Sequence, residues 1–197
     1  KKSPRTLDTA GRSADFAYLS DKNIYMDSSC QTLRPQPVIN AINDYYQKFN
    51  ACGGRVKYLW GQKVDGLVEQ TREQIIDYLK LPQRDYFVSF TLNTTYGINL
   101  ITSQIKTGIF KQVITSDIEH NSVFLPTIEL ANRLGIERKV LSREKNGSLT
   151  YQPDDLKQAI VVVNVVSNID GRKLNNLKQL VDDVHKNGGI IILYAAQ

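Results

Sequence analysis

The stretch that decides the fold is GGIIILYAAQ, residues 188–197. Two glycines precede a continuous apolar run, without the polar alternation of a strand that has one face in water. Such a run is typical of a parallel strand that is buried on both faces. In α/β proteins the residues just past such strands commonly carry the chemistry. We therefore expect Tyr194 and Gln197 to lie at a functional site.

Similar apolar runs recur upstream and alternate with helix-forming segments. The pattern predicts strands at 24–27, 86–90, 112–116, 137–142, 160–166 and 189–193, and helices at 38–49, 64–80, 94–105, 121–135, 153–159 and 174–187. Alternating strands and helices with continuous Val and Ile runs predict an α/β fold, with a mainly parallel sheet flanked by helices on both faces. We predict an N-terminal arm, 1–23, followed by one α/β domain, 24–197.

Composition narrows the function classes. The chain has 197 residues, is 41% hydrophobic and carries a net charge of +5, with its basic residues scattered. Scattered charge without a basic stripe argues against nucleic-acid binding. No run is long enough to span a membrane, and no signal-peptide pattern is present, so we predict a cytoplasmic, soluble protein. Cys30 and Cys52 lack a metal-ligand spacing, so no metal site is predicted.

The first junction with candidate chemistry follows predicted strand 86–90. Asn93, Thr94 and Thr95 open a helix there, and its N-terminal N–H groups and dipole favour an anion such as phosphate. The alternative is that Asn93 or Thr94 only caps the helix.

Two further junctions carry polar residues. Glu119 and His120 follow predicted strand 112–116, where the imidazole could stack on an aromatic cofactor, shuttle a proton or cap a helix. Ser167, Asn168 and Asp170 follow predicted strand 160–166, where Asn-Ile-Asp-Gly is also typical of a turn. His185 is predicted to lie exposed on a helix.

Five short motifs in this order resemble the N-terminal part of the large domain of class V aminotransferases, the fold-type I enzymes dependent on pyridoxal 5'-phosphate (PLP) that include cysteine desulfurases. They are IYMDSSCQTLRPQPVINAINDYY, NTTYGINL, IEHNSVFLP, VVSNIDG and GGIIILYAAQ. The resemblance implies that Thr94 and Thr95 hold the cofactor phosphate and that His120 stacks on the pyridine ring. It also implies that Asn168 contacts the ring and that Gln197 hydrogen-bonds the ring hydroxyl.

The sequence departs from the family at two places. Tyr194 stands where the family has the aspartate that pairs with the pyridine nitrogen, and a neutral phenol cannot replace that charge. The family's Schiff-base lysine would lie beyond Gln197, so no catalytic residue is assigned. We therefore expect a truncated chain that binds PLP weakly or not at all and is inactive alone.

The resemblance also implies partners: a second copy in a homodimer or a complementing C-terminal polypeptide, and an amino-acid substrate if the chain is active. The alternative is a non-catalytic structural or partner-binding protein derived from this fold. An unrelated phosphate-binding module is disfavoured because the chain lacks a Gly-x-Gly-x-x-Gly or Walker sequence.

Overall fold

The structure is a computed structural model that describes residues 14–19, 24–54 and 57–197. Contacts between Cα atoms divide the chain into two compact units, one up to Phe90 and one from Thr91 to Gln197. The domain predicted for 24–197 therefore includes parts of both units. The predicted arm, 1–23, falls mostly outside the described residues and stays a prediction.

The first unit is helical. A 3-10 turn, Ala14–Phe16, precedes α1, Gln36–Lys48, and α2, Leu59–Tyr78. Helix α1 begins after Pro35 with Pro37 in its first turn, where a missing N–H costs nothing. Helix α2 begins five residues before its predicted start, and Gly61 is buried within its first turn. None of the helices in the described residues has the length and hydropathy of a membrane span.

The strands predicted at 24–27 and 86–90 are wrong. Both segments lack regular structure, and the side chain of Phe87 is 94% exposed. Aromatic and β-branched residues favour strands, but a strand forms only where a neighbour pairs with its backbone. Neither segment pairs with another strand among the described residues.

The second unit is an α/β layer structure. It contains α3, Thr94–Gln104; β1, Gln112–Ser116; α4, Asn121–Leu134; β2, Glu137–Leu141; a 3-10 turn, Pro153–Leu156; β3, Ala159–Asn164; α5, Leu177–Lys186; and β4, Ile190–Tyr194. All three strand pairs are parallel, in the order β2-β1-β3-β4. These elements confirm the predicted fold class.

Both faces of the sheet are covered, as its apolar strands require. Successive residues of β3 alternate between the faces, and all of its residues are buried. On one face Val161 packs with Leu180 of α5, and on the other Val162 packs with Val123 and Leu130 of α4. Two separate apolar cores therefore hold the sheet between its helices.

The glycine pair before β4 has a packing role. Gly188 adopts φ 70°, and a Cβ on Gly189 would lie 2.6 Å from the carbonyl oxygen of Ala159. We expect Gly189→Ala to lower the free energy of unfolding by about 2 kcal/mol or more, because backbone must shift. Gly66→Ala is the matched control: it lies in α2 with nothing within 4 Å, and should raise stability by about 0.5–1 kcal/mol. Thermal unfolding followed by circular dichroism measures both, and a tolerated Gly189→Ala would contradict the close approach.

Candidate functional site

The strand order reverses direction at one point, between β1 and β3. Strand β1 has β2 on one side and β3 on the other, so the connections after β1 and β3 diverge. In open parallel sheets this reversal opens a crevice outside the carboxyl ends of the strands, and ligands bind there. Residues 117–120 and 165–171, which follow β1 and β3, lie at that position.

Helix α3 presents its N-terminus with a side-chain cap. Asn93 Oδ1 accepts a hydrogen bond of 2.8 Å from the backbone N–H of Tyr96. The capping alternative is therefore correct for Asn93. Thr94 and Thr95 are exposed in the first turn, where helix geometry gives their N–H groups no intrahelical partner. Their predicted role toward a phosphate stays a prediction.

A second helix N-terminus meets the first. Thr95 Oγ1 and Ser122 Oγ lie 2.6 Å apart, which joins the first turn of α3 to that of α4. His120 is the N-cap of α4, and its Nδ1 accepts a 3.1 Å hydrogen bond from the Ser122 N–H. The imidazole therefore caps a helix, as one alternative had it, and that hydrogen bond also fixes the orientation of its ring.

The ring of His120 contacts the end of β4. Its centroid lies 5.5 Å from that of Tyr194, with the planes 10° apart, so the rings are stacked. Burial raises the pKa of the Tyr194 phenol, and a hydrogen bond from the Gln197 side chain partly offsets this. Four of the six predicted site residues therefore form one series of contacts: Thr95, His120, Tyr194 and Gln197. Ser122 connects Thr95 to His120 in this series.

Asn168 lies elsewhere. It is exposed in the turn after β3, where Ser167 Oγ accepts from the N–H of Ile169 at 3.1 Å and Gly171 adopts φ 71°. The turn interpretation of this segment is therefore correct. Among the described residues, Asn168 makes no hydrogen bond to the linked group, and its contact with a cofactor ring stays a prediction. His185 is exposed on α5, as predicted.

A buried polar network supports the loop that carries His120. Glu119 is 6% exposed; it accepts from Ser116 Oγ, and from the N–H of Asn164 at 2.7 Å. Asn164 Nδ2 donates to the carbonyl of Ile118 at 2.8 Å, and Arg143 Nη2 donates to the Asn164 carbonyl at 2.8 Å. These hydrogen bonds therefore join the ends of β1, β2 and β3, and they include the two residues that directly precede His120.

The charges in this network are costly to bury. Burial raises the pKa of Glu119, against the lowering effect of its hydrogen bonds and of Arg143. Burial also lowers the pKa of Arg143, which Glu119 opposes, and Arg143 Nε and Nη1 have no hydrogen-bond partner among the described residues. Glu119 and Arg143 therefore each offset part of the energetic cost of burying the other's charge.

These shifts predict how stability depends on pH. Because the pKa of Glu119 is raised in the folded chain, its stabilising contribution is present below the unfolded-state pKa and is lost as the pH rises through the folded-state pKa. Glu119→Gln removes this titration. We expect the free energy of unfolding of Glu119→Gln, measured relative to that of wild type, to increase between about pH 4 and pH 8. Urea unfolding across that range measures the difference, and a trend of opposite sign would contradict the assignment.

Sequence patterns did not single out several members of this site. Ser122 looked like an ordinary first-turn helix residue, and Arg143 follows β2 in a polar segment without distinguishing spacing. Asn164 did leave a signal, because it is the one polar residue within the buried strand β3. A buried amide in a β-branched strand requires hydrogen-bond partners, and that requirement could have identified it.

A parallel sheet between helices, with two helix N-termini and a stacked imidazole at its switch point, is suited to a phosphate-bearing aromatic cofactor, and the sheet and its helices match the PLP-dependent transferase-like fold. The structural comparison agrees. The apo cysteine desulfurase from Thermococcus onnurineus NA1 superposes with a TM-score of 0.74 at 27% identity, over 86% of this chain and 43% of that chain. A C-DES variant with glycine covalently linked to its PLP cofactor shares the fold, with a TM-score of 0.67 at 15% identity over 86% of this chain and 46% of that chain.

The family profile described as Aminotransferase class-V matches residues 24–197, and the chain belongs to that family. A probable cysteine desulfurase of Methanothermobacter thermautotrophicus is 26% identical over 93% of this chain and 46% of its own length. One from Pyrococcus abyssi is 28% identical over 91% of this chain and 45% of its own length. The chain thus spans about half the length of the curated relatives it matches. The family implies dependence on PLP.

The residues present fit PLP in one part of the site and conflict with it in another. The phosphate fits, because two helix N-termini and two hydroxyls, Thr95 and Ser122, converge. The ring fits against His120 only if Tyr194, which is stacked on that imidazole, moves away. The site supplies a phenol where the family resemblance expects a carboxylate.

Proposed function

We propose that this chain forms the cofactor-binding part of a PLP-dependent, cysteine desulfurase-like enzyme that acts on amino-acid substrates. The observation that carries the proposal is the contact series from Thr95 through Ser122 to His120. It joins an anion-binding helix terminus to a flat aromatic ring, and PLP is a dianion attached to a flat ring.

The chain's own residues would bind and orient the cofactor. Thr94 and Thr95 would hold the phosphate through hydroxyl and backbone N–H donors, and Ser122 would orient the Thr95 hydroxyl. His120 would stack on the ring, while Asn168 and Gln197 would contact its polar groups. The cofactor, when bound, supplies an electron sink for reactions at the α-carbon of an amino acid.

The proposal also covers how the chain associates and where it is located. None of the chain's residues is assigned as the catalytic lysine, and the role proposed for the described residues is to bind and orient the cofactor. Association as a homodimer, or with a complementing C-terminal polypeptide, and a place in the cytoplasm are proposed with it.

Equilibrium dialysis with pyridoxamine 5'-phosphate tests the proposal. This probe keeps the phosphate and ring of the cofactor but cannot form adventitious Schiff bases with surface lysines. We expect saturable binding at one site per chain, and binding at least about 10-fold weaker for pyridoxamine, because the phosphate contributes charge-assisted hydrogen bonds. Equal binding of the two probes would overturn the proposed function, as would no binding of pyridoxamine 5'-phosphate either to wild type or to variants in which Tyr194 is replaced.

A further inference from the structure

Tyr194 makes the contacts that the cofactor ring is expected to make. Its side chain is a hydroxylated six-membered aromatic ring, 5% exposed, at the end of β4. The ring face is stacked on His120, and the hydroxyl is hydrogen-bonded to the side chain of Gln197. These are the two residues that the family resemblance directs toward the pyridine ring and its hydroxyl.

We propose that the Tyr194 side chain is an internal occupant of the cofactor-ring position, which must leave His120 before the ring can bind. The inference rests on the proposed function, because it concerns the same site. It goes beyond the missing carboxylate: a lost charge weakens the chemistry of a bound ring, whereas an occupied position lowers the affinity for the ring itself.

The backbone around Tyr194 restricts how this can happen. The carbonyl of Tyr194 accepts a 2.8 Å hydrogen bond from the N–H of Val165, and Tyr194 pairs in register with Asn164 of β3. The strand end is therefore fixed by the sheet, and displacement requires the side chain to rotate out of its buried position. The imidazole is fixed too, since its Nδ1 accepts from Ser122. Displacement is thus a rotamer change of one tyrosine.

Occupation makes a quantitative prediction for ligand affinity. If a ligand binds only when a position is vacant, its apparent association constant is the association constant for the vacant site multiplied by the fraction of molecules in which the site is vacant. A buried ring that is stacked and hydrogen-bonded leaves its position rarely. The phosphate contacts at Thr95 are separate from this ring, so phosphate binding alone should not depend on Tyr194.

Dialysis of pyridoxamine 5'-phosphate against Tyr194 variants tests the inference. We expect Tyr194→Ala to bind at least about 10-fold more tightly than wild type, and Tyr194→Phe, which keeps the stacked ring but loses the hydrogen bond to Gln197, to gain less affinity than Tyr194→Ala does. Tyr194→Leu provides the same comparison with the apolar core still filled, should the alanine variant unfold. Circular dichroism confirms that each variant is folded.

The outcomes separate the two proposals. Binding to wild type with no gain in Tyr194→Ala or Tyr194→Leu would overturn the internal occupant and leave the proposed function standing. Weaker binding in Tyr194→Phe alone would show that the phenol hydroxyl contacts the ligand, which also overturns it. No binding to any variant would overturn the proposed function, and the inference with it.

Discussion

Replacing Glu119 by alanine is expected to lower the free energy of unfolding by about 3 kcal/mol or more, the largest effect we predict for a residue outside the apolar core. The carboxylate is the acceptor for Ser116 Oγ and for the N–H of Asn164, and both donors are buried. Alanine leaves both without an acceptor. It also removes the nearby acidic group that most strongly opposes the lowering of the Arg143 pKa by burial.

The matched control is Glu129→Ala, because Glu129 is an exposed glutamate on α4. Exposed substitutions of this kind usually change stability by less than about 0.5 kcal/mol. Urea unfolding at neutral pH, followed by far-ultraviolet circular dichroism, compares the two. Equal stability of Glu119→Ala and Glu129→Ala would mean that the network at the ends of β1 and β3 does not stabilise the fold.

Replacing Thr95 by valine is expected to weaken binding of pyridoxamine 5'-phosphate by about 10-fold or more. Valine keeps the shape of threonine but removes the hydroxyl that meets Ser122 at 2.6 Å. A hydrogen bond to a charged phosphate is about twice as strong as one between neutral groups, so its loss is readily measurable.

Two controls accompany this variant. Thr95→Ser retains the hydroxyl and should keep the wild-type affinity to within a few-fold. Pyridoxamine, which lacks the phosphate, should bind Thr95→Val and wild type equally. If Thr95→Val loses affinity for both probes to the same extent, the hydroxyl supports the fold of the site and does not hold the phosphate.

The second unit could be predicted well from sequence because its signals are local. Strands β3 and β4 are continuous apolar runs apart from their last residues, and helix α4 ends at Gly135, which adopts the left-handed conformation. The predicted strands at 24–27 and 86–90 failed for a non-local reason. Strand formation depends on a pairing neighbour, and no property of YFVSF reveals whether one is present.

The candidate site, like the fold, could be predicted from the sequence only in part. The sequence placed Thr95, His120, Tyr194 and Gln197 at strand and helix ends, and the structure links them. It did not reveal that His120 contacts Tyr194, because a contact between residues 74 positions apart depends on how α4 and β4 pack. The bulk of a tyrosine in place of aspartate was evident in the sequence; the position that its ring occupies was not.

The central claim is that the chain holds a cofactor-ring position at His120 which Tyr194 fills when no ligand is bound. Nuclear Overhauser contacts between the two rings, recorded with and without saturating pyridoxamine 5'-phosphate, test it most directly. The chain has only two histidines, so the imidazole signals are readily assigned by comparison with a His185→Gln variant. We predict that the contacts between His120 and Tyr194 are present in the free chain and disappear on saturation. Contacts that persist in the saturated chain would contradict the account.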